Sequence, residues 1–130
     1  MTNKIVERIT SSFESQSMMK TLGATIHKVE KGNVIIEAPI LPSTLQQQGY
    51  GHAGLTFSIG DSAAGYSSLT LLPKDQEVMT SEIKINLLAP ADGELLRAEG
   101  KVVKLGKRLV VVTSEIHALK DGQSKLIAIM

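Results

Sequence analysis

Within the first 40 residues, the pattern of apolar positions changes from helical to extended. Four apolar residues recur at helical spacing within residues 3–20: Ile5, Val6, Ile9 and Phe13. This spacing predicts an amphipathic N-terminal helix that ends near Gly23. The stretches ATIHKVE (24–30) and NVIIEAPI (33–40) are strand-like and are separated by Lys31-Gly32. Because the Lys-Gly-Asn sequence is a turn signal, we expect these two strands to form a hairpin.

The segment from about residue 53 to residue 72 has the length of a long helix but an unusual composition. It contains no proline, and half of its residues are glycine, alanine or serine. A glycine inside a helix costs about 1 kcal/mol relative to alanine, so this many small residues require a packing reason. A sheet that encloses the helix supplies that reason, because small side chains let two backbones approach closely. Pro39 and Pro42 precede it and predict a loop that extends to about Gly51.

After Pro73 the apolar residues alternate with polar ones, which is the period of a strand. Four such stretches follow: SEIKINLL (81–88), LLRAEGKVVKL (95–105), RLVVVTSEIHAL (108–119) and SKLIAIM (124–130). The order is therefore helix, two strands, long helix and four strands, which differs from the alternating order of a parallel α/β fold. We expect an α+β fold in which one antiparallel sheet curls around one long helix, in a single domain over residues 1–130. If SEIKINLL lies at a sheet edge, it would invite pairing with a second copy of the chain.

Composition and charge exclude several classes of function. The formal net charge of the 130 residues is +1, and only four residues are aromatic, so we expect no nucleic-acid partner. The chain has no cysteine, and no His/Asp/Glu group has the spacing of a metal site, so we expect neither a metal nor another cofactor. No apolar run approaches the ~20 residues that cross a bilayer, and the N-terminus does not read as a signal peptide. The expectation is a cytoplasmic protein without a membrane partner.

Residues 46–65, QQQGYGHAGLTFSIGDSAAG, carry the candidate chemistry. Glycines bracket the start of the long helix, where the backbone N–H groups of residues 53–55 are expected to be unpaired. Such donors stabilise a carbonyl oxygen that gains negative charge, as in the oxyanion hole of acyl transfer. Asp61 then stands in the middle of the helix, where aspartate is unfavourable. It is either a solvent-facing or structural acid, or a carboxylate that acts as general base or nucleophile.

The spacing of His52 and Asp61 constrains how they can act together. Nine residues at 100° each place them on opposite sides of a helix, about 13 Å apart along its axis. His52 and Asp61 of one chain therefore cannot meet over one small substrate atom. If both act on one carbonyl group, they come from different chains, which predicts a homodimer with active sites across its interface.

The stretch Gly49-Tyr-Gly-His52-Ala-Gly54, followed by Asp61, resembles the signature of the PaaI-like acyl-CoA thioesterases of the hotdog fold. That signature reads Asn-x-x-Gly-x-x-His-Gly-Gly, then six residues, then Asp, and the resemblance extends over about residues 20–130. It implies a hotdog fold and the hydrolysis of an acyl-CoA to a carboxylic acid and free CoA without a metal. It further implies a dimer of dimers, that is, a homotetramer.

The resemblance also implies a role for each matching residue. Asp61 would be the catalytic carboxylate, and the N–H of Ala53 would polarise the thioester carbonyl. His52 would shape the site beside that carbonyl. Gln46 would hold the water or the thioester, and the hydroxyl of Thr80, at the start of the next strand, would support the water.

Two glycines complete the implied site, and two positions depart from the signature. The thioester carbonyl would lie against Gly54 as well as Ala53, with Gly49 in the loop that leads to them. Glutamine replaces asparagine at Gln46, and either of the two following glutamines could take that position instead. Alanine replaces glycine at Ala53, which keeps the N–H but narrows the approach to it.

Two other functions stay open at this point. One is a hydratase or dehydratase of the same fold that acts on β-hydroxyacyl thioesters, although the chain lacks an Asp-x-Asn-Pro-x-His-like string. The other is a non-catalytic acyl-CoA binding or sensor module, which would have no need for Asp61. The acyl group is equally open, with aromatic, short aliphatic and medium aliphatic chains all possible.

Overall fold

The computed structural model describes residues 3–130, and its elements follow the predicted order. The helices are α1 (Asn3–Glu14), α2 (Ser17–Thr21) and α3 (Ala53–Leu69), with a short 3-10 turn at Pro42–Thr44. The strands are β1 (Thr25–Glu30), β2 (Asn33–Pro39), β3 (Asn86–Leu87), β4 (Leu95–Leu105), β5 (Val110–Lys120) and β6 (Gln123–Ile129).

All six strands form one antiparallel sheet in the order β1-β2-β4-β5-β6-β3. The predicted β1–β2 and β4–β5 hairpins are present, and Gly32 has the positive φ of 71° that its turn requires. Helix α3 packs against β2, β4 and β5, so that the sheet curves around it. The α+β hotdog arrangement expected from the sequence is thereby confirmed.

The small residues of α3 allow close contact between the helix and the sheet. A methyl group at Gly100 of β4 would overlap the carbonyl group of Ala63, and one at Gly60 would overlap the side chain of Met130. The hydroxyl of Ser114 on β5 donates a hydrogen bond of 2.8 Å to the carbonyl oxygen of Gly60. The prediction that small residues let the backbones of helix and sheet approach closely is therefore confirmed on the buried face of α3.

The opposite face of α3 is not covered by the chain's own sheet. Ala53, Gly54 and Phe57 are exposed, and Ser58 and Asp61 are half-buried, whereas Leu55 and Ile59 on the other face are buried. The sheet of one chain therefore curves around one side of α3, as expected for a sheet that wraps a central helix, and leaves the other side uncovered. We call the side formed by Ala53, Gly54, Phe57, Ser58 and Asp61 the uncovered face of α3.

The predicted N-terminal helix is interrupted. Helix α1 ends at Glu14, and α2 begins at Ser17 after Gln16, which adopts an extended backbone with ψ of 99°. The side chain of Gln16 donates a hydrogen bond of 2.7 Å to the hydroxyl of Tyr66 on α3. This tertiary contact fixes Gln16 outside the helical conformation, which the local pattern could not indicate. The predicted end near Gly23 is confirmed by its positive φ of 69°.

The predicted strand over residues 81–88 is short. Only Asn86 and Leu87 pair, with Ile129 and Ala128 of β6, and β3 forms the sheet edge as expected. Strand β6 ends at Ile129, which pairs with Asn86, so residues before Asn86 have no neighbouring strand in the described chain. Helix α3 likewise ends at Leu69 rather than near residue 72, because Pro73 disfavours a helical conformation in the residue before it.

Candidate active site

Backbone hydrogen bonds fix the start of α3 against the rest of the fold. The N–H of Gly51 donates to the carbonyl of Ala91 at 2.8 Å, and the N–H of His52 donates to that of Thr44, also at 2.8 Å. Sequence patterns contain no signal for the roles of Thr44 and Ala91, because these residues contribute only backbone atoms to the two contacts. Their contacts determine where the chain turns into the helix, and hence where the first helical N–H groups point.

His52 is the N-cap of α3. Its Nδ1 accepts a hydrogen bond of 2.7 Å from the N–H of Gly54, and its carbonyl accepts one of 2.9 Å from the N–H of Leu55. The expectation of three unpaired N–H groups is therefore wrong for residues 54 and 55. Among residues 3–130, the N–H of Ala53 has no hydrogen-bond partner, and it is exposed at the first helical position.

Gly54 has a definite steric role in this arrangement. A methyl group at this position would lie only 3.0 Å from Nδ1 of His52, closer than nearly all real contacts of this kind. Glycine therefore allows the imidazole ring to fold over the first turn. The predicted contact between Gly54 and a substrate remains a prediction, but it cannot use the Gly54 N–H while His52 accepts from it.

Gln46 organises the loop that precedes α3. Its Oε1 accepts hydrogen bonds from the backbone N–H groups of Gln48, at 2.6 Å, and Tyr50, at 3.2 Å. Gly49 closes the same turn through a bond of 3.0 Å from its N–H to the carbonyl of Gln46, and its positive φ of 89° favours glycine. The amide oxygen of Gln46 is thus engaged within the loop. Its Nε2, which contacts the exposed Gln48 at 3.3 Å, is the end that can still turn toward a ligand.

Asp61 and Thr80 form a short side-chain hydrogen bond at the site. The Thr80 hydroxyl donates a hydrogen bond of 2.6 Å to Oδ1 of Asp61. Asp61 is half-buried on the uncovered face, so it is neither fully solvated nor buried without a partner. Within residues 3–130, Oδ2 of Asp61 accepts no hydrogen bond, which leaves one oriented carboxylate oxygen available for a reacting group.

One chain does not bring Ala53 and Asp61 together. They are separated by eight residues of α3, which corresponds to about 12 Å of helix axis. Large apolar side chains are exposed on α3 and at the β6–β3 edge of the sheet: Phe57 is 37% exposed, Leu87 56% and Ile129 39%. An apolar surface next to an edge strand is typical of an interface between protein chains.

The described residues contain no group of three or more His, Cys, Asp or Glu side chains that could hold a metal ion. The imidazole of His27 on β1 lies 3.6 Å from a carboxylate oxygen of Glu37 on β2. Within residues 3–130, no helix is long and apolar enough to cross a membrane.

Comparisons with known proteins identify the family. The sequence profile of the Thioesterase superfamily matches residues 48–125, more than half of the chain. This range includes His52, Ala53, Asp61 and Thr80, and it begins two residues after Gln46.

Individual relatives agree with this match. A crystal structure of a thioesterase family protein from Silicibacter pomeroyi has a TM-score of 0.94 and 37% identity, covering 96% of this chain and 92% of its own. The 1,4-dihydroxy-2-naphthoyl-CoA hydrolase of Listeria monocytogenes is 28% identical over 112 residues, 86% of this chain and 89% of its own. The Escherichia coli PaaI protein from the phenylacetic acid degradation operon shares the fold, with a TM-score of 0.85 and 23% identity over 98% of this chain and 88% of its own. The chain belongs to the thioesterase superfamily and is a thioester hydrolase with the hotdog fold.

Proposed function

We propose that the protein is an acyl-CoA thioesterase that uses Asp61 to hydrolyse the thioester. The observation that carries this proposal is the 2.6 Å hydrogen bond by which Thr80 orients Asp61 on the uncovered face of α3. A hydroxyl that holds one carboxylate oxygen leaves the other directed at a water or a carbonyl carbon. A structural acid would need no such half-buried position on a helix face that the chain's own sheet leaves uncovered.

The start of α3 is proposed to bind the thioester carbonyl. The N–H of Ala53 is an exposed donor at the positive end of a 17-residue helix, and this position stabilises developing negative charge. His52 holds the first turn in shape through Gly54. The site would therefore use one helix-end donor, rather than the three that the sequence suggested.

The active site is proposed to lie between two chains, with Ala53 from one and Asp61 from the other. The axial distance of about 12 Å between them within one helix supports this arrangement. The apolar side chains of Phe57, Leu87 and Ile129 would be covered in such a homodimer, and the edge strand β3 would gain a partner strand. By resemblance to PaaI-like proteins, two dimers would form a homotetramer.

The substrate is proposed to be a CoA thioester with an aromatic or a short or medium aliphatic acyl group, hydrolysed in the cytoplasm. The relative named as a naphthoyl-CoA hydrolase supports an aromatic acyl-CoA as the first substrate to test. The products would be a carboxylic acid and free CoA thiol.

Two chemical routes lead to these products. As a general base, Asp61 would take a proton from water while the water oxygen attacks the carbonyl carbon, and the C–S bond would then break with proton return to the thiolate. As a nucleophile, Asp61 would expel CoA thiolate to form an anhydride, which water would then hydrolyse. A single turnover in ¹⁸O-labelled water can reveal the second route. Unlabelled acid together with ¹⁸O in Asp61 shows that water attacked the Asp61 carbonyl of an anhydride, whereas the general-base route always gives labelled acid.

The test of this function is release of free thiol from benzoyl-, phenylacetyl- and hexanoyl-CoA by the wild type, Asp61→Asn and Asp121→Asn. Asp121 lies in the β5–β6 turn with a positive φ of 51°, which asparagine tolerates, so this variant makes the same change of charge away from the site. We expect Asp61→Asn to lose at least about a hundredfold in kcat and Asp121→Asn to match the wild type. Equal turnover by all three proteins would remove Asp61 from the mechanism. Binding of acyl-CoA without thiol release by the wild type would favour a binding module.

A further inference from the structure

Arg8 of α1 contacts the backbone where the chain leaves α3. Its guanidinium donates to the carbonyl oxygen of Leu72 at 2.9 Å, to that of Leu69 at 3.4 Å, and to that of Gln76. The last carbonyl groups of a helix have no partners within the helix and attract cations. One side chain of α1 therefore joins the end of α3 to the segment that follows it.

Helix α1, which carries Arg8, is packed against the core and against α3. Ile9 and Phe13 of α1 are buried, and the ring of Phe13 lies 6.1 Å from that of Tyr66 on α3. The hydroxyl of Ser12 lies 3.1 Å from the Tyr66 hydroxyl, within hydrogen-bond distance. The position of Arg8 is thus fixed by packing against the same helix whose end it binds.

Residues 70–80, which we call the return segment, run back along α3 from its C-terminal end toward Asp61. Val78 packs against the core, 3.8 Å from where a side chain at Gly65 would begin, and Thr80 reaches Asp61 one turn earlier in the helix. Between residues 73 and 80 the segment has no helix or strand. Its described side-chain hydrogen bonds in that range are the one from Arg8 to Gln76 and the one from Thr80 to Asp61.

We propose that Arg8 is a positioning residue for catalysis: by holding the return segment, it keeps the Thr80 hydroxyl on Asp61. This inference rests on the proposed role of Asp61. Thr80 follows Gln76 by four positions, which is at most about 14 Å of extended chain, so release of Gln76 lengthens the part of the return segment before Thr80 that no side-chain hydrogen bond holds. A displaced hydroxyl leaves the carboxylate free to rotate, and misplacement of a reacting group by about 1 Å lowers a rate up to about a hundredfold.

The alternative is that Arg8 only stabilises the end of α3, and a double-mutant cycle with Thr80 separates the two roles. We expect Arg8→Ala and Thr80→Val each to lower kcat about tenfold with less than about a twofold change in KM. If Arg8 acts through Thr80, the double variant loses no more than about tenfold in total. Lys4→Ala removes a cation one turn earlier on α1, whose side chain makes no hydrogen bond or ion pair with residues 3–130, and should match the wild type.

Hydrogen exchange of the return segment provides a readout that does not require activity. In Arg8→Ala we expect faster exchange within residues 74–80 at the N–H of Gln76, which donates to the carbonyl of Pro73 at 3.0 Å, with exchange in the sheet unchanged. Arg8→Lys keeps the charge and the aliphatic stem but cannot span three carbonyl groups, so it should show a smaller effect of the same kind, and it replaces Arg8→Ala in the cycle if that variant does not fold.

A double variant whose loss is the product of the two single losses, or unchanged exchange at residues 74–80, would overturn the inference. If instead Asp61→Asn keeps full turnover, the proposed function fails, and the exchange data still decide whether Arg8 holds the segment.

Discussion

The unpaired N–H of Ala53 can be removed without disturbing the fold. Ala53→Pro deletes this N–H at the first helical position, where proline is favoured. The preceding residue, His52, has φ −65° and ψ 142°, in the region that a following proline prefers. Because the Ala53 N–H makes no hydrogen bond within residues 3–130, we expect the free energy of unfolding to stay within about 0.5 kcal/mol of the wild type.

The catalytic effect of the same change should be large. Loss of one oxyanion-hole donor typically costs about 2.7–4 kcal/mol in the transition state, or about 10²–10³ in kcat. Ala53→Gly keeps the N–H and is the matched control, so it should retain activity. Thiol-release kinetics and chemical denaturation of the three proteins measure both quantities. A folded Ala53→Pro enzyme with more than half of the wild-type kcat would refute the assignment of this N–H to the carbonyl oxygen.

Mixing two inactive variants tests the placement of the site between chains. In a heterodimer of Ala53→Pro with Asp61→Asn, one site combines an intact Ala53 with an intact Asp61, and the other site lacks both. Random re-association gives one half heterodimers, so about a quarter of the wild-type activity should return. If each active site lay within one chain, the mixture would stay inactive, and the cross-interface proposal would be abandoned.

Three further predictions concern stability and assembly. His52→Ala should lower the free energy of unfolding by about 1 kcal/mol through loss of the helix cap, while His52→Asn, a good cap, should lower it less, as measured by urea denaturation. Gly100→Ala should destabilise by about 1–3 kcal/mol because its methyl group would overlap the backbone carbonyl of Ala63, whereas Gly65→Ala, with an ordinary 3.8 Å contact, should be neutral or stabilising by up to about 1 kcal/mol; equal effects would contradict the packing argument. Leu87→Asp should shift the sedimentation of the protein toward a monomer, and an unchanged oligomer would show that β3 is not at the interface.

The features that the sequence could predict are those recorded in local patterns. The hairpin turn at Gly32 and the buried face of α3 follow from spacing and residue size, which act over a few neighbouring residues. A family resemblance implied that Asp61 and Thr80 both belong to the site, Thr80 as a support for the water, and the structure brings the two side chains together. Their catalytic roles stay predictions.

The features that the sequence could not predict depend on distant parts of the chain. The strand at 81–88 is short because its partner strand β6 ends at Ile129, opposite Asn86. Nothing within residues 81–88 indicates where the partner strand ends. The interruption of the first helix at Gln16 depends on Tyr66, fifty residues away. The N–H of Gly54 is occupied because the His52 ring folds back, a choice of side-chain conformation that residue types do not fix. Arg8 appeared as an ordinary polar residue of an amphipathic helix.

The two tyrosines make the protein its own spectroscopic probe. The chain contains no tryptophan, and its tyrosines are Tyr50 in the loop before α3 and Tyr66 in the core. Tyr66 is buried and hydrogen-bonded to Ser12 of α1. Near-ultraviolet circular dichroism of the ligand-free protein should therefore report mainly whether α1 is docked. Tyr50 is 37% exposed, and its N–H contacts Gln46, so its emission reports on the loop that leads to the helix start. In the Tyr50→Phe variant, Tyr66 would be the single tyrosine. Its emission would then report the undocking of α1 in unlabelled protein and in real time.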